Sequence, residues 1–181
     1  MEIYAVKING LDHPMGFDFE HLLCSWKVRN NKGKKQTRAK IQVAKDEKMS
    51  EVIWEKEGGL NSLGTVIEFS MKPYTRYYFQ ITVHSDVGEE SKSDVLYFET
   101  AKLEDPWTAK WLGVRGEDTH PEFRKNFSIK KEIKSARLYI CGLGIFETYL
   151  GGKKVGNDLR RQTGSSLPAA PTGQWITLIP L

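Results

Sequence analysis

Apolar residues recur at every second position along much of the first hundred residues of this chain. Residues 39–43 alternate Ala, Ile and Val with Lys and Gln, and residues 77–83 alternate Tyr, Phe, Ile and Val with Tyr, Gln and Thr. Successive side chains of a β-strand point to opposite faces, so a period of two predicts strands with one buried face. A helix would repeat its apolar residues every three or four positions. We therefore predict an all-β fold.

About seven short strands fit before residue 101. They are predicted at residues 3–8, 22–28, 39–43, 52–54, 67–71, 77–83 and 95–98. Turn-forming pairs such as Asn9-Gly10 and Gly58-Gly59 separate them, and the one helical candidate is a short turn near residues 46–52. Seven strands in about 100 residues is the size of an immunoglobulin-like sandwich. We assign residues 1–101 to such a domain.

A second β region is predicted after a linker at residues 102–106, which is polar and closed by Pro106. Its strands are predicted at residues 107–114, 123–129, 136–141, 145–150 and 153–155, with Gly151-Gly152 as a two-residue hairpin turn. A complete jelly roll has about eight strands. Residues 107–158 are therefore predicted to form a partial sandwich of the jelly-roll or galactose-binding type, whose uncovered apolar face leads to self-association or loose packing.

The composition changes abruptly at residue 159. Arg160 and Arg161 are the only charged residues among residues 159–181, which are rich in Gln, Thr, Ser, Gly, Ala and Pro. Such a change favours a segment of foreign origin, either a frameshifted terminus or one added in cloning, over a natural linker.

Charge and hydropathy exclude several classes of protein. The 27 Lys and Arg residues nearly balance the 23 Asp and Glu residues. The longest basic run, residues 32–38, is typical of a solvated hairpin loop. We therefore predict no nucleic-acid partner. No stretch approaches the roughly 20 apolar residues of a membrane span, and no leader is evident at the start. We expect a cytoplasmic chain with no membrane partner, and reduced core thiols at Cys24 and Cys141.

No catalytic, metal or cofactor site is predicted. His13, His21, His84 and His120 lack the spacing of zinc ligands, and Gly142-Leu143-Gly144 lacks the third glycine of a dinucleotide motif. Acidic pairs such as Glu55 and Glu57, Glu89 and Glu90, or Glu104 and Asp105 are typical of solvated loops and strand edges. Cofactors and metals are therefore predicted to be none.

Residues 1–100 resemble a fibronectin type III module. Residues 71–77, Met-Lys-Pro-Tyr-Thr-Arg-Tyr, are similar to the stretch of that family in which a Tyr hydroxyl bonds back to the chain at the sheet corner. Trp26 matches the core Trp of the family, and residues 98–100 match its closing strand. The resemblance implies a structural constellation and no chemistry.

A narrower resemblance covers residues 1 to about 158. The segments that carry it are residues 8–16, 98–111, 123–127, 135–144 and 146–156. Together they resemble the amino-terminal part of bacterial α-L-rhamnosidases of glycoside hydrolase family 78. Where that family usually has Asn-Gly at the hairpin, this chain has Gly151-Gly152, and beyond Asn157-Asp158 we find no resemblance.

The resemblance implies a large enzyme that cleaves terminal α-L-rhamnose with inversion, using acidic residues on a downstream (α/α)6 barrel. Inversion needs two carboxyl groups about 6.5–9.5 Å apart. No segment of this chain matches the barrel, so no catalytic residue can be assigned here. The weak substrate-binding candidates are Trp107 and Trp111, which flank Lys110 and could stack on a sugar; the alternative is packing at the domain junction.

Two functions follow. The first is a non-catalytic, structural fragment of an α-L-rhamnosidase, with the remainder of the parent glycosidase or another copy of the chain as its partner. The alternative is an independent β-sandwich module that binds carbohydrate or protein. Burial of Trp26, Tyr77, Trp107 and Trp111 would favour the first, and exposed aromatic residues in one concave patch would favour the second.

Overall fold

The computed structural model describes residues 1–106, 108–113, 121–133, 136, 138–140, 144–155 and 160–162. Within these residues the regular structure consists of β-strands, with no helix, which confirms the all-β prediction. The chain divides into two compact units, Met1–Pro106 and Trp107–Leu181. In the described part of the chain, no helix is long and apolar enough to cross a membrane.

The first unit contains nine strands in two sheets. They are β1 (Glu2–Ile8), β2 (Met15–Phe17), β3 (Leu22–Arg29), β4 (Gln36–Ala44), β5 (Val52–Gly58), β6 (Thr65–Ile67), β7 (Arg76–Ser85), β8 (Glu90–Lys92) and β9 (Leu96–Thr100). The smaller sheet has the order β1-β3-β6 and the larger has the order β2-β9-β7-β4-β5, with β8 paired to β7. All pairs are antiparallel except β2 with β9, which is parallel.

The core lies between the two sheets, as the alternating sequence requires. Along β7 every second side chain is buried, beginning with Tyr77, while the intervening ones face outward. Trp26 and Phe98 are among the largest fully enclosed side chains. The buried cluster consists of Ile8, Leu22, Cys24, Trp26, Ala39, Ile41, Val43, Ile67, Tyr77, Phe79, Ile81, Val83 and Phe98. Cys24 is a buried free cysteine, as expected of a core thiol, and burial raises the pKa of its thiol to about 12.

The structure corrects two local expectations in the first unit and agrees with a third. Strands β2 and β8 were not predicted, because each is only three residues long and has no buried alternation. The strand predicted at residues 67–71 ends at Ile67, although Phe69 and Met71 still pack against the core. The helical candidate at residues 46–52 is a turn in which the Asp46 carboxylate accepts hydrogen bonds from two following amides.

The second unit has short strands: β10 (Gly144–Phe146), β11 (Tyr149–Leu150), β12 (Lys153–Lys154) and β13 (Arg160–Gln162). β11 and β12 form the predicted hairpin, and its turn glycines, Gly151 and Gly152, have φ angles of 58° and 78°. Both angles lie in the left-handed region that glycine adopts without steric cost, as a two-residue hairpin turn requires. β10 pairs with β13, which belongs to the compositionally distinct tail.

Other strands predicted in this unit are wrong where the structure describes them. Residues 108–113 and 121–133 are irregular, and Phe127 and Ile129 are 64% and 56% exposed. Alternation indicates only that a segment can form a strand; a strand also needs a neighbour with which to pair. Residues 136 and 138–140 are likewise irregular, and Cys141 and Ser135 lie outside the described residues.

Candidate functional site

The chain leaves the larger sheet of the first unit through residues 100–105, which we call the exit segment. It begins with the last residue of β9 and includes most of the stretch that the sequence predicts as a linker. Within the first unit it is hydrogen bonded on two sides, to residues 17–18 at the end of β2 and to residues 72–75 before β7.

Thr100 begins the exit segment and is completely buried. Its hydroxyl donates to the carbonyl of Lys72 at 2.7 Å and accepts from the amide of Thr75 at 2.9 Å. Its own amide donates to the carbonyl of Thr75 at 3.0 Å. One small polar side chain therefore satisfies two backbone groups of the neighbouring corner, which a buried apolar residue could not do.

The next residues continue these contacts. The Ala101 amide donates to the carbonyl of Phe17 at 3.2 Å, and the Ala101 carbonyl accepts from the amide of Tyr74 at 2.9 Å. The Leu103 amide donates to a carboxylate oxygen of Asp18 at 2.9 Å. The backbone is consequently bonded at residues 100, 101 and 103, so the path by which the chain leaves the sheet is defined.

Two residues at the exit segment have unusual backbone angles. Leu103 has φ 50° and Tyr74 has φ 53°, both in the left-handed region that disfavours residues with a Cβ atom. Leu103 lies inside a turn closed by the Asp105 amide and the Lys102 carbonyl at 3.0 Å. Such strain persists only where the surrounding contacts over-determine the conformation. Here the Tyr74 amide is bonded to the Ala101 carbonyl and the Leu103 amide to the Asp18 carboxylate.

The electrostatic setting of the exit segment is acidic. Partial burial raises the pKa of the Tyr74 phenol, and the charges of Asp105 and Asp18 raise it further. On the other side of the turn, the Lys102 ammonium donates to the carbonyls of Leu103 and Asp105. These polar contacts close the turn and offer no nucleophile or paired acid for chemistry.

A second group of side chains lies on the outward face of the larger sheet. We call it the outer-face cluster; its members are His13, Met15, Arg76, Tyr97 and Glu99. Arg76 and Glu99 are cross-strand partners on β7 and β9, with Nε and Nη2 each 3.2 Å from one carboxylate oxygen. The guanidinium carbon lies 4.3 Å from the centre of the Tyr97 ring, and Nη2 lies 3.9 Å from the Met15 sulfur. The His13 ring is 4.7 Å from that of Tyr97.

Glu99 is the unusual member of the outer-face cluster. Its side chain is only 5% exposed, whereas that of Arg76 is 34% exposed. A carboxylate is rarely buried unless it is paired, and Arg76 supplies that pair. The carboxylate, the aromatic ring and the thioether therefore hold a half-exposed guanidinium in one pose.

The predicted sugar-stacking residues are only partly described. Trp111 is 51% exposed in an irregular segment, and Trp107 lies outside the described residues. The sugar platform at these residues stays a prediction. The two other aromatic residues of the scaffold hypothesis, Trp26 and Tyr77, are each 2% exposed.

Two of the three acidic pairs considered from the sequence make structural contacts. On β5, Glu55 lies 3.0 Å from the Lys40 ammonium, which lowers the pKa of the carboxyl, and Glu57 pairs with Arg38. Glu89 accepts from the amides of the loop before β4. Among the described residues, no group of three or more His, Cys, Asp or Glu side chains could hold a metal ion.

Sequence reasoning found neither the exit segment contacts nor the outer-face cluster. In the sequence, Thr100 is recognisable only as part of a closing strand, and Arg76 only as part of the corner motif at residues 71–77. The signal available in the sequence was weak: an Arg and a Glu, each beside a core aromatic residue, on two strands whose pairing was unknown.

Two family models match this chain. The Rha78A-like, N-terminal immunoglobulin domain matches residues 3–104, and the alpha-L-rhamnosidase N-terminal domain matches residues 131–166. The second match runs past residue 158, where we expected the resemblance to end, and it includes β13. The first match confirms an immunoglobulin domain, whereas the fibronectin type III assignment stays a prediction.

Curated relatives and solved structures agree with these matches. An alpha-L-rhamnosidase of Formosa agariphila is 28% identical, and the match covers 88% of this chain and 20% of that protein. An alpha-L-rhamnosidase of Alteromonas sp. (strain LOR) is 26% identical, and the match covers 81% of this chain and 18% of that protein. The alpha-L-rhamnosidase structure from Dictyoglumus thermophilum superposes with a TM-score of 0.72 at 28% identity, over 86% of this chain and 21% of that one. The structure of the Streptomyces avermitilis alpha-L-rhamnosidase complexed with L-rhamnose superposes with a TM-score of 0.56 at 20% identity. That match covers 98% of this chain and 21% of the other, and it supports the fold alone. This chain thus spans about a fifth of the length of the proteins it matches.

Proposed function

This chain belongs to the family of Rha78A-like, N-terminal immunoglobulin domains, and from that membership we propose that it is the non-catalytic amino-terminal part of an α-L-rhamnosidase with a structural role in the parent enzyme. The observation that carries the proposal is the exit segment. Its backbone is bonded at residues 100, 101 and 103 to two separate parts of the first unit. In this role the immunoglobulin-like unit holds the start of the following chain in a defined place.

The chemistry of the exit segment suits support and not turnover. Its hydrogen bonds join backbone groups to one another, to a buried hydroxyl and to one carboxylate, that of Asp18. The two carboxyl groups that inverting glycoside hydrolysis requires would have to come from the remaining four fifths of the parent protein. We propose that remainder as the partner of this chain.

An independent module that binds carbohydrate or protein is the alternative. The burial of Trp26 and Tyr77 assigns two prominent aromatic residues to the core, and this supports the structural role. A binding module would need contact residues other than these two. The experiments below distinguish the structural role from a binding module.

Hydrogen exchange on the full chain tests the structural role. We expect the amides of Ala101 and Leu103 to be protected to the same order as those in the centre of β7, because both are hydrogen bonded in a defined backbone. Thr100→Val should raise their exchange rates about tenfold or more, because two backbone groups lose their partner. Thr82→Val is the matched control, since Thr82 faces outward from β7.

Free exchange at residues 101–103 in the unmodified chain would contradict the structural role. So would equal effects of the two Thr→Val variants on the exit segment. The non-catalytic part of the proposal is tested with an aryl α-L-rhamnoside, which the purified chain should not hydrolyse above the rate without protein. Turnover that persists through repurification and disappears on mutation of an acidic residue of this chain would overturn it.

A further inference from the structure

Residues 123–133 of the second unit, which we call the pairing segment, have the pattern of a strand but no partner strand among the described residues. The segment is irregular, its residues 124–133 are exposed, and no backbone hydrogen bond joins it to another described residue. Phe127, Ile129 and Ile133 are 64%, 56% and 55% exposed. Unpaired backbone groups beside exposed apolar side chains are a template for pairing with another chain.

We propose that the pairing segment is the surface through which two copies of this chain associate, as antiparallel strands related by a two-fold axis through Ser128. Each residue then lies opposite the one at the same distance beyond Ser128 in the other copy. Phe127 of one copy meets Ile129 of the other, and Phe123 meets Ile133. Because the axis repeats every contact, each of these apolar pairs forms twice.

Charge complementarity favours a second copy of the chain as the occupant of this surface. In the same register Arg124 of each copy lies opposite Glu132 of the other, so two pairs of opposite charge flank the apolar contacts. Opposite charges across two strands are favourable, and like charges are unfavourable. Parallel pairing in register would instead bring each charged residue against the same residue of the other copy.

Other antiparallel registers lose both kinds of contact. A slip of one residue turns every side chain to the opposite face, so the nearest slip that preserves the faces is two residues. A slip of two residues in one direction places Phe123 opposite Lys131 and Arg124 opposite Lys130. In the other direction it places Phe127 opposite Lys131. The sequence of the pairing segment therefore favours the register centred on Ser128.

One pair of residues opposes the association. Lys125 lies opposite Lys131 in the favoured register, and the two-fold axis repeats this contact as well. The repulsion makes the dimer weak, with a dissociation constant expected in the micromolar range or above. It also means that a single substitution can tighten the dimer, which loss of apolar surface could not do.

Sedimentation velocity on the full chain over a range of concentrations tests the proposal. We expect a reversible monomer–dimer equilibrium. Lys131→Glu should tighten it by about threefold or more, because two repulsive contacts become attractive. Lys130→Glu is the matched control: it changes the net charge equally, but Lys130 lies opposite the uncharged Asn126, so its effect should stay within about twofold.

An exchange of charges tests the register. Glu132→Arg should weaken the dimer by about threefold or more, because Arg124 then faces a like charge in both symmetric contacts. Adding Arg124→Glu to that variant restores opposite charges, so its dissociation constant should return to within about twofold of the unmodified chain. The thermal midpoint of each variant, followed by circular dichroism, shows whether the chain is still folded.

Three results would overturn the proposal. The first is an unmodified chain that stays monomeric up to its solubility limit, as expected if only the remainder of the parent protein covers the segment. The second is an equal effect of Lys130→Glu and Lys131→Glu on association. The third is a double variant that associates no more tightly than Glu132→Arg alone. The structural role of the exit segment is tested separately, because hydrogen exchange at residues 101 and 103 reports on the first unit.

Discussion

The hydroxyl oxygen of Tyr77 accepts a hydrogen bond of 2.8 Å from the backbone amide of Lys72, five residues earlier in the chain. Tyr77 is 2% exposed, and its ring contacts that of Phe69 edge-on at 5.0 Å and that of Phe98 at 5.5 Å. The carbonyl of Lys72 also accepts a hydrogen bond from the Thr100 hydroxyl. The corner before β7, residues 71–75, is therefore hydrogen bonded both to a core side chain and to the exit segment.

Tyr77→Phe should lower the free energy of unfolding by about 1–3 kcal/mol, because the Lys72 amide loses its partner while the ring stays in place. Urea denaturation of the full chain, followed by circular dichroism, measures the change. Tyr78→Phe is the control, since Tyr78 lies one residue further on β7 and faces outward. An unchanged midpoint for Tyr77→Phe would show that the corner hydrogen bond contributes no net stability.

Trp26→Ala should cost more, about 3–5 kcal/mol, from lost transfer free energy and the cavity left behind. Trp26 is 2% exposed in the centre of the core, and its indole nitrogen donates to the Gln36 side chain at 3.0 Å. Trp26→Phe removes that hydrogen bond but keeps an aromatic ring, so a smaller loss is expected. Similar midpoints for the alanine and phenylalanine variants would contradict the importance of core volume here.

Gly33→Ala should destabilise the first unit by about 1–3 kcal/mol through overpacking. A Cβ atom at residue 33 would lie 2.9 Å from Cβ of Ser85 at the end of β7. The Asp86 carboxylate beside it cannot easily move, because it accepts from the amide of Lys34 at 3.0 Å. Gly59→Ala, where a Cβ would meet nothing within 4 Å, serves as the control in thermal melts. Equal midpoints for the two variants would refute the close approach.

The Glu89 carboxylate should contribute to the loss of folded-state stability at acidic pH. Hydrogen bonds from the Lys32 amide, reinforced by that of Gly33, hold the pKa of this carboxyl below its ordinary 4.5. A lowered pKa in the folded state means that the stabilisation is fully present above pH 4.5 and is lost as the pH falls through the folded value. Glu89→Gln should therefore reduce stability at neutral pH and flatten its decline below pH 4.5.

Denaturation midpoints measured across the acid range test this contribution. The exposed Glu47, replaced by Gln, provides a charge-matched control. Parallel pH profiles for the Glu89→Gln and unmodified chains would show that the carboxylate adds nothing beyond a neutral acceptor.

The second unit should either self-associate or show low protection. Its exposed apolar side chains include Trp111, Leu112, Phe127, Ile129, Ile133, Tyr149 and Leu150. Exposed apolar surface of this kind favours association or loose packing. Light scattering combined with hydrogen exchange on the full chain distinguishes these two outcomes. A strict monomer with uniformly high protection from residue 107 onward would contradict the prediction.

Local alternation was sufficient to predict the long central strands. β4 and β7 lie where the period of two placed them, β3 lies where a strand was predicted, and the buried faces include the predicted residues Trp26 and Tyr77. The reason is steric: side chains of a strand alternate between faces whatever the strand pairs with. The Gly151-Gly152 turn was predictable for a similarly local reason, since only its own φ angles decide it.

Contacts between distant segments were decided by the tertiary structure alone. β2 has no alternation of its own and becomes a strand only because β9 lies beside it, and Asp18 meets the Leu103 amide 85 residues later in the chain. The contact of Met15 with the outer-face cluster and that of Phe17 with the exit segment both depend on that parallel pairing. Conversely, residues 123–129 alternate but are irregular, which shows that alternation alone does not make a strand. The sequence by itself therefore determined which side chains could face a core, while the pairing of remote backbone segments decided where polar and charged side chains meet.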